Sequence, residues 1–289
     1  MTEALVQVSG LTKKFKISAG KFLHAVDDVS LAIKQGEILG LVGESGCGKS
    51  TLGKLIIKLH EESGGEIAFR GEVLKGRMSR NKRKKFSREV QMIFQDPYSC
   101  LNPRMTIKEI ICEGPDACGL WADGEREEKV AHWLERVGLH RSHMSRYPHE
   151  FSGGQRQRIG IARALALEPK LVICDEPISA LDVSVQAQII NLLKELQVEH
   201  NLTYLFIAHD LSMVRVICDR MAVMYLGKVV EIGTSEQVYD NPQHPYTQAL
   251  VAANPIPDPV AERTRQKLML KGEIGSPINP QPGCRFAPR

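Results

Sequence analysis

A glycine-rich segment, GESGCGKS from Gly43 to Ser50, has the residue types and spacing of a phosphate-binding loop. Its glycines allow backbone torsions that turn several N–H groups towards one oxyanion, and a helix start adds positive potential. Lys49 would neutralise the outer phosphates of a nucleotide, and the Ser50 hydroxyl would bind Mg²⁺. An apolar stretch, ILGLVG, precedes the loop and a helical pattern, STLGKLI, follows it. The sequence therefore predicts a nucleotide site between a strand and a helix.

Two acidic residues end a second apolar stretch, LVICDEP from Leu171 to Pro177. Unpaired charges at the end of a buried strand are costly to desolvate, so this acid pair indicates a function. We expect Asp175 to hold Mg²⁺ through water and Glu176 to polarise an attacking water. The alternative is a pair of solvated acids in a turn.

A second glycine-containing helix start lies in FSGGQRQRIG, from Phe151 to Gly160. Ser152, Gly153 and Gly154 would leave a helix N-terminus accessible to an anion. A nucleotide in this chain is already held by the first loop, so a second anion site would be redundant within one chain. It has a purpose if it faces the nucleotide of another chain. Two chains arranged head to tail would then complete each other's sites.

Strand patterns alternate with helix patterns along the chain, which predicts a mainly parallel sheet covered on both faces. The expected strands are LVQVSGLTKKFKI, LHAVDDVSLAIKQGEILGLVG, EIAFRGEVL, VQMIFQ, LVICDEP, LTYLFIAHD and MAVMYLGKVVEIG. The expected helices are KSTLGKLIIKL, IKEIICEG, REEKVAHWLERVGL, GQRQRIGIARALALEP and DVSVQAQIINLLKELQVEH. The helical stretch 96–150 interrupts the alternation and is predicted to be an inserted subdomain. After Gly233 the chain is rich in Pro, Asn and Gln, and we expect an extension outside the core.

Composition narrows the class of protein. The 289 residues are 43% hydrophobic and 25% charged, which is ordinary for a globular chain. The net charge of +4 is too small to argue for nucleic acid. Neither a secretory signal nor an apolar run of about 18 residues is present, so we expect a soluble chain or one bound to a membrane through a partner. The seven cysteines include no CxxC pair, which favours reduced thiols over a zinc site.

The combination of Gly43–Thr51, FSGGQ and LVICDEP, in this order and spacing, resembles the ATP-binding subunits of ABC transporters. The resemblance runs from about Leu5 to Gly233. It implies an α/β fold of the P-loop NTPase, ABC nucleotide-binding type: a mainly parallel sheet, an antiparallel β subdomain, an inserted helical subdomain and a C-terminal extension. The implied boundaries are 5–235 for the nucleotide-binding domain, about 96–150 for the insert and 236–289 for the extension.

The same resemblance implies ATP and Mg²⁺ as cofactors and assigns further roles. Gln95 after VQMIF matches the family's Q-loop, which senses the metal and the γ-phosphate and links to the helical insert. His209 in FIAHD matches the switch histidine, which contacts the γ-phosphate. Asp182 in SALD matches the D-loop, which reaches across the dimer interface, and Phe15 falls where the family stacks an aromatic ring on adenine. The implied catalytic residues are Glu176, His209 and Gln95; the nucleotide-binding residues are Phe15, Gly43, Ser45, Gly46, Cys47, Gly48, Lys49, Ser50, Thr51, Ser152, Gly153, Gly154, Gln155 and Asp182; the metal-binding residues are Ser50, Gln95 and Asp175.

Further segments are similar to the dipeptide and oligopeptide importer branch, namely QDPYSCLNPRMTI, HPYTQAL and the tail SPINPQPGCRF, while ESGCGKSTLGK and PIPDP resemble its F-type ATPase. This similarity implies a motor subunit at the cytoplasmic face of the membrane. Its implied partners are a D-type ATPase or a second copy of itself, two transmembrane permease subunits and an external solute-binding protein, with no nucleic acid. Some relatives hold an iron–sulfur centre near the tail, which is not expected here because Cys284 is the one cysteine at that place.

Three alternatives stay open: an ATPase of a nickel or other small-solute importer of the same branch, a degenerate subunit that leaves hydrolysis to its partner, and a soluble ABC protein of DNA repair or translation. The basic run from Lys75 to Arg88 could bind nucleic acid or anionic lipid, but it lacks interleaved aromatic residues, so we expect a solvated loop. Cys47 lies in the positive backbone field of the loop, which would lower a thiol pKa, although we expect the residue to serve mainly as a small side chain that fits the loop. We also expect thiol alkylation to inhibit ATPase activity and ATP to protect against it.

Overall fold

A computed structural model describes residues 4–76, 78–254, 272 and 275–289. The chain forms two compact units, one of Met1–Gly76 with Leu205–Arg289 and one of Arg77–Tyr204. The PIPDP segment, at 255–259, lies outside the described residues.

The first part of the first unit contains β1 (Ala4–Ser18), β2 (Lys21–Lys34), β3 (Ile38–Val42), α1 (Lys49–Ile56), β4 (Gly64–Phe69) and β5 (Glu72–Val73). Four of these strands form an antiparallel sheet in the order β2-β1-β4-β5. This sheet confirms the antiparallel β subdomain. The segment EIAFRGEVL, expected as one strand, is a hairpin, because Arg70 and Gly71 take φ values of +51° and +77° and reverse the chain.

The second unit contains α2 (Arg80–Glu89), β6 (Val90–Ile93), α3 (Pro97–Cys100), α4 (Ile107–Cys118), α5 (Arg126–Arg136), two 3₁₀ turns (Arg141–Ser145 and Pro148–Glu150), α6 (Gly153–Leu165), β7 (Leu171–Asp175) and α7 (Val183–His200). Strands β6 and β7 pair in parallel, with Val90 opposite Leu171. The helices expected at 96–150 are present as α3, α4 and α5. Helix α4 continues through Pro115, which the sequence placed in a connection between helices.

The chain returns to the first unit through β8 (Thr203–Ala208), followed by α8 (Leu211–Ile217), β9 (Arg220–Tyr225), β10 (Lys228–Thr234), α9 (Ser235–Asp240) and α10 (Pro245–Ala253). Strand β3 pairs in parallel with β9, and β9 pairs antiparallel with β10. All five residues of β3 are buried, as are all six of β8. The parallel pairs place the carboxyl ends of buried strands at the loops that carry the predicted chemistry.

The expectation of a solvated loop at Lys75–Arg88 is wrong, because most of this segment is helix α2. The side chain of Ser79 caps the helix by accepting a hydrogen bond from the Lys82 N–H at 3.4 Å. Lys and Arg are good helix formers, and Phe86 is 7% exposed and anchors the otherwise solvated helix. A serine cap and one apolar anchor thus suffice for a strongly basic helix.

The segment after Gly233 does not stay outside the core. Tyr246 in α10 is fully buried and Phe286 is 8% exposed, both within the first unit. An aromatic ring buries a large apolar area, so these two residues help to hold the segment against the unit, together with the buried Val238 and Ala249. The sequence boundary at 235–236 remains a prediction.

Candidate functional site

The phosphate loop connects the buried strand β3 to α1, and two of its glycines have no substitute. Gly43 and Gly48 have φ values of +152° and +109°. A Cβ atom on Gly43 would overlap the carbonyl oxygen of Met224, and one on Gly48 would overlap that of Ala25. Both positions therefore require glycine for conformation and for space. Gly48 is the N-cap of α1, so the loop delivers the chain directly into a helix N-terminus.

Lys49 is 4% exposed, and its ammonium group is bonded to backbone carbonyls. Its Nζ donates to the oxygens of Gly43 at 2.8 Å and Glu44 at 3.1 Å. Among the described residues, no carboxylate forms an ion pair with Lys49. A buried cation held by neutral dipoles next to a helix N-terminus is a fitting environment for a phosphate group. This observation supports the predicted nucleotide site.

The predicted pKa of Cys47 is wrong in direction. The thiol is 4% exposed, and burial raises its pKa, although the charge of Lys49 and a backbone hydrogen bond act in the opposite sense. Desolvation disfavours the thiolate more than the neighbouring positive groups favour it. Cys47 is therefore a buried small residue of the loop, and its reactivity is reduced.

Four other predicted residues lie in the first unit. Ser50 and Thr51 occupy the first turn of α1 and are half-buried. Phe15 in β1 is also half-buried, with the His60 ring edge-on at 5.6 Å and Lys13 Nζ at 5.0 Å from its centroid. His209 is exposed and directly follows β8. It precedes Asp210, which caps α8.

The second unit brings Gln95 and Glu176 together. Gln95 Nε2 donates to Glu176 Oε2 at 2.9 Å, although the two residues are 81 positions apart. Asp175 ends β7 and is 4% exposed. Glu176 has a φ of +46°, and its carbonyl oxygen accepts from the N–H and the hydroxyl of Ser179. A left-handed glutamate is conformationally costly, and such residues concentrate at functional sites.

Helix α3, next to Gln95, is held by two arginines of α6 that the sequence analysis missed. The guanidinium carbon of Arg156 lies 3.7 Å from the centroid of the Tyr98 ring. Arg163 donates to the Cys100 carbonyl oxygen at 2.6 Å, and its burial lowers the pKa of its guanidinium. Their seven-residue spacing, which places both on one face of a helix, was the available signal.

The second glycine-containing helix start is capped locally. Ser152 Oγ accepts from the Gln155 N–H at 3.3 Å, and Gln155 Oε1 accepts from the Ser152 N–H at 3.0 Å. A Cβ on Gly154 would overlap the Val185 side chain of α7, so this glycine is required for helix packing. A Cβ on Gly153 would lie at an ordinary 3.6 Å from Leu181. Packing therefore explains why position 154 requires glycine, but it does not explain the glycine at position 153.

Asp182 precedes α7 and is exposed. Its side chain makes no capping hydrogen bond to that helix, and the neighbouring Val183 is 82% exposed. An aspartate at an N-cap position usually bonds the helix N–H groups. Its position here, beside an exposed valine, is compatible with the expected contact to another chain.

The predicted residues therefore fall into two sets. The first unit carries the phosphate loop, Phe15 and His209, and the second carries Gln95, Asp175, Glu176, Asp182 and the helix start at 152–155. Among the described residues, no group of three or more His, Cys, Asp or Glu side chains could hold a metal. Mg²⁺ in nucleotide sites takes only one or two protein ligands together with phosphate oxygens, and hydroxyl, amide and carboxylate oxygens suit it.

Comparison with known proteins identifies the family. Residues 26–179 match the ABC transporter family, and residues 230–289 match the oligopeptide/dipeptide transporter C-terminal region. The chain is 59% identical to the oligopeptide transport ATP-binding protein OppF of Bacillus subtilis, over 92% of this chain and 87% of that protein. It is 52% identical to the dipeptide transport ATP-binding protein DppF of Lactococcus lactis subsp. cremoris, over 93% of this chain and 88% of that protein.

Solved structures agree with this assignment. CbiO1 from Clostridium perfringens, part of an ABC transporter complex, is similar at a TM-score of 0.72 and 29% identity, covering 83% of this chain and 92% of that chain. The ATP-binding cassette MJ0796, a dimer in a post-hydrolysis state with ADP and Pi, has the same score and identity over 80% and 98% of the two chains. None of the described helices is long and apolar enough to span a bilayer. The chain belongs to the ABC transporter family, as an ATP-binding subunit of the branch that carries the oligopeptide/dipeptide transporter C-terminal region.

Proposed function

We propose that this chain is the ATP-hydrolysing motor subunit of a peptide importer. The observation that carries the enzymatic part is the 2.9 Å hydrogen bond between Gln95 and Glu176 at the end of a buried strand. It places an amide beside the carboxylate that the sequence assigns to water activation. The alternative of a degenerate, non-hydrolysing subunit is disfavoured because Glu176 and His209 are both present.

On the phosphate side, Lys49 and the backbone N–H groups of the loop bind the phosphates, and Phe15 stacks on the adenine. Gly43, Ser45, Gly46, Cys47, Gly48 and Thr51 form the rest of the cradle. Ser50 and Gln95 would supply oxygen ligands for Mg²⁺, and Asp175 would hold the metal through water. Mg²⁺ held by these residues would neutralise charge that develops on the phosphates. These roles are supported by the buried ammonium group of Lys49, which pairs with no carboxylate in the described part of the chain, and by the lack of room at Gly43 and Gly48.

On the water side, Glu176 accepts a proton from the attacking water and Gln95 orients the carboxylate. His209 contacts the γ-phosphate. The left-handed backbone of Glu176 turns its side chain at the end of β7, and the two bonds from Ser179 fix that turn. Rigid positioning of a general base is what a proton transfer at this site requires.

The complete site needs a second chain. Ser152, Gly153, Gly154 and Gln155 of one chain would face the nucleotide held by the phosphate loop of the other, and Asp182 would reach across the interface. The second chain is a D-type ATPase or another copy of this one. Dimeric relatives such as MJ0796 and the exposed Asp182 support this arrangement.

The transported solute is inferred from relatives named for oligopeptide and dipeptide transport. Two transmembrane permease subunits and an external solute-binding protein would complete the importer, and the helical stretch 96–150 would pass nucleotide-driven movement to the permeases. The chain would then lie at the cytoplasmic face of the membrane, without nucleic acid. A nickel or other small-solute importer, and a non-transport ABC ATPase, are the competing assignments.

Glu176→Gln tests this proposal. Loss of a general base lowers turnover by about 10²- to 10⁴-fold, while ATP binding should persist because the phosphate loop is untouched. Phosphate release and nucleotide affinity are measured side by side, with and without the partner ATPase. Glu195→Gln is the matched control. It makes the same isosteric substitution at an exposed position of α7. Turnover of Glu176→Gln at the wild-type rate would refute the assigned role.

Affinity purification of Glu176→Gln from its native membrane with ATP then tests the transport assignment. We expect a second ATPase and two membrane subunits, and the accompanying binding protein identifies the solute class. Recovery of ribosomes or DNA instead would preserve the ATPase and remove transport.

A further inference from the structure

The C-terminal part of the first unit contacts the phosphate loop at Glu44. The backbone N–H of Glu44 donates to the hydroxyl oxygen of Tyr246 at 2.9 Å. The carboxylate of the same residue accepts from Arg289 Nη1 at 3.2 and 3.3 Å. These contacts join positions more than 200 residues apart. One loop residue is therefore held through its backbone and through its side chain.

The start of α10 is built to deliver Tyr246 to the loop. The two carboxylate oxygens of Glu231 accept from the N–H groups of Gln243 at 2.8 Å and His244 at 3.0 Å. The His244 ring caps the helix by accepting from the Tyr246 N–H at 3.1 Å, and Pro245 occupies the first turn. His244 and Pro245 thus fix where α10 begins, and with it the position of the Tyr246 side chain.

An aromatic cluster holds the Tyr246 ring. Its centroid lies 4.5 Å from that of Tyr225 and 5.6 Å from that of Phe286. Tyr225 and Tyr246 are fully buried, and Phe286 is 8% exposed. Burial also raises the pKa of Tyr246, so its hydroxyl stays neutral at ordinary pH. The hydroxyl that meets Glu44 is consequently presented by a tightly packed side chain.

A second connection runs through the turn after β9. Arg285 donates to the Leu226 carbonyl oxygen and pairs with Asp27 at 2.5 Å. The next residue of the turn, Gly227, donates its N–H to the Cys47 carbonyl oxygen in the loop at 2.8 Å. The C-terminal residues therefore contact the loop directly at Glu44 and act on Cys47 indirectly, through the turn at Leu226 and Gly227.

Glu44 links these contacts to Lys49, because its carbonyl oxygen accepts from Lys49 Nζ at 3.1 Å. We propose that Tyr246, Arg285, Phe286 and Arg289 form a C-terminal clamp that holds the phosphate loop in its nucleotide-binding shape. Tyr246 and Arg289 are positioning residues for ATP, acting through Glu44. The consequence for ATP rests on the proposed function, whereas the hold on the loop does not.

Tyr246→Phe removes the hydroxyl and keeps the packed ring. Loss of one hydrogen bond to the loop should weaken binding of a fluorescent ATP analogue with Mg²⁺ about threefold to tenfold. The KM for ATP should rise by the same factor, with kcat changed less, because the catalytic groups are untouched. Tyr239→Phe is the matched control: its hydroxyl lies 3.3 Å from Ser212 Oγ, away from the loop. Equal analogue affinity in Tyr246→Phe and Tyr239→Phe would overturn the proposal.

A double-mutant comparison tests whether Arg289 acts through its ion pair with Glu44. Arg289→Ala should weaken analogue binding about twofold to fivefold, as expected for a partly exposed ion pair, and Arg289→Lys should restore most of the loss. Glu44→Gln removes the charge that Arg289 contacts. If the arginine acts through Glu44, Arg289→Ala should have no further effect in the Glu44→Gln background. Additive losses in the double variant would show that Arg289 acts elsewhere.

Amide hydrogen exchange without nucleotide separates the clamp from the proposed function. The amides of residues 43–48 should exchange faster in Tyr246→Phe than in wild type and Tyr239→Phe, with matching melting temperatures. Faster exchange in a protein that fails to bind ATP would support the clamp and refute the ATPase assignment. Unchanged exchange in Tyr246→Phe, in a wild type that binds and hydrolyses ATP, would refute the clamp alone.

Discussion

The glycines of the phosphate loop show why a residue type can be required for two separate reasons. Gly48 and Gly20 both have positive φ, at +109° and +71°. A Cβ at Gly20 would meet open space, whereas one at Gly48 would overlap the Ala25 carbonyl oxygen. The left-handed conformation alone costs an ordinary residue about 1–2 kcal/mol, and the overlap adds to that.

Gly48→Ala should therefore lower the melting temperature more than Gly20→Ala, and it should abolish nucleotide binding. The Gly20→Ala variant should bind the ATP analogue like wild type, since its turn lies outside the loop. Thermal unfolding and analogue titration check both statements. Equal melting temperatures for the two variants would contradict the overlap argument.

Cys47 gives a prediction about pH. Because burial raises its thiol pKa, little thiolate is present near neutral pH, and the thiolate is the reactive form. Alkylation of Cys47 should be slower than that of the exposed Cys284, and its rate should keep rising with pH above the ordinary thiol pKa. Modification should inhibit ATPase activity and ATP should slow it. Mass spectrometry of each cysteine over a pH series measures the alkylation rates. A rate for Cys47 that reaches a plateau at or below the ordinary thiol pKa would contradict the effect of burial. Full ATPase activity after complete modification of Cys47 would refute the inhibition.

At the level of elements, α6 organises the second unit through arginines as well as through its apolar face. Arg156 stacks on Tyr98 and Arg163 bonds the Cys100 carbonyl, so one helix holds both ends of α3. Gln95 lies just before Asp96, the N-cap of this short helix, and contacts Glu176. The position of Gln95, and with it the hydrogen bond to Glu176, thus depends on how α3 is held.

Arg163→Met tests this support. The variant leaves a carbonyl oxygen without its partner in a half-buried place, which costs about 1–3 kcal/mol of unfolding free energy. Arg141→Met is the control: Arg141 pairs with Glu128 at 2.9 Å where both side chains are at least half exposed, and such a pair contributes about 0–1 kcal/mol. Denaturant unfolding compares the two. Equal losses would show that the Cys100 bond contributes no more than a surface ion pair.

At the level of the whole molecule, the proposed site makes the association state depend on the nucleotide. A ligand shifts a conformational equilibrium only when it binds one state better. The γ-phosphate, bound by the loop of one chain and the helix start at 152–155 of the other, would supply that preference. ADP lacks this group.

The Glu176→Gln protein, mixed with its partner ATPase where one exists, should sediment as a dimer with ATP and Mg²⁺ and as separate chains with ADP. Dimerisation of this chain alone would indicate self-pairing, and dimerisation only after addition of a D-type subunit would indicate a mixed pair. Equal association with ATP and ADP would contradict the composite site.

The sequence by itself determined the class of fold and the elements that carry the candidate site residues. Strand and helix patterns around GESGCGKS and LVICDEP fixed the positions of Lys49 and Glu176 on their elements, because loop spacing and apolar periodicity are local properties. The family resemblance implied the antiparallel subdomain, and the local signals identified the helices of 96–150. The local signals were too weak to predict helix α2, where one serine cap and one apolar residue decide between helix and loop.

Only the tertiary structure decided which distant residues meet. The hydrogen bond from Gln95 to Glu176 spans 81 positions, and the bond from Glu44 to Tyr246 spans 202. Burial likewise depends on neighbours that are distant in the sequence. It reversed the expected pKa shift of Cys47, and it places Tyr246 and Phe286 in the core of the first unit. Contacts and desolvation of this kind depend on the folded packing of many residues, and a local pattern carries no information about them.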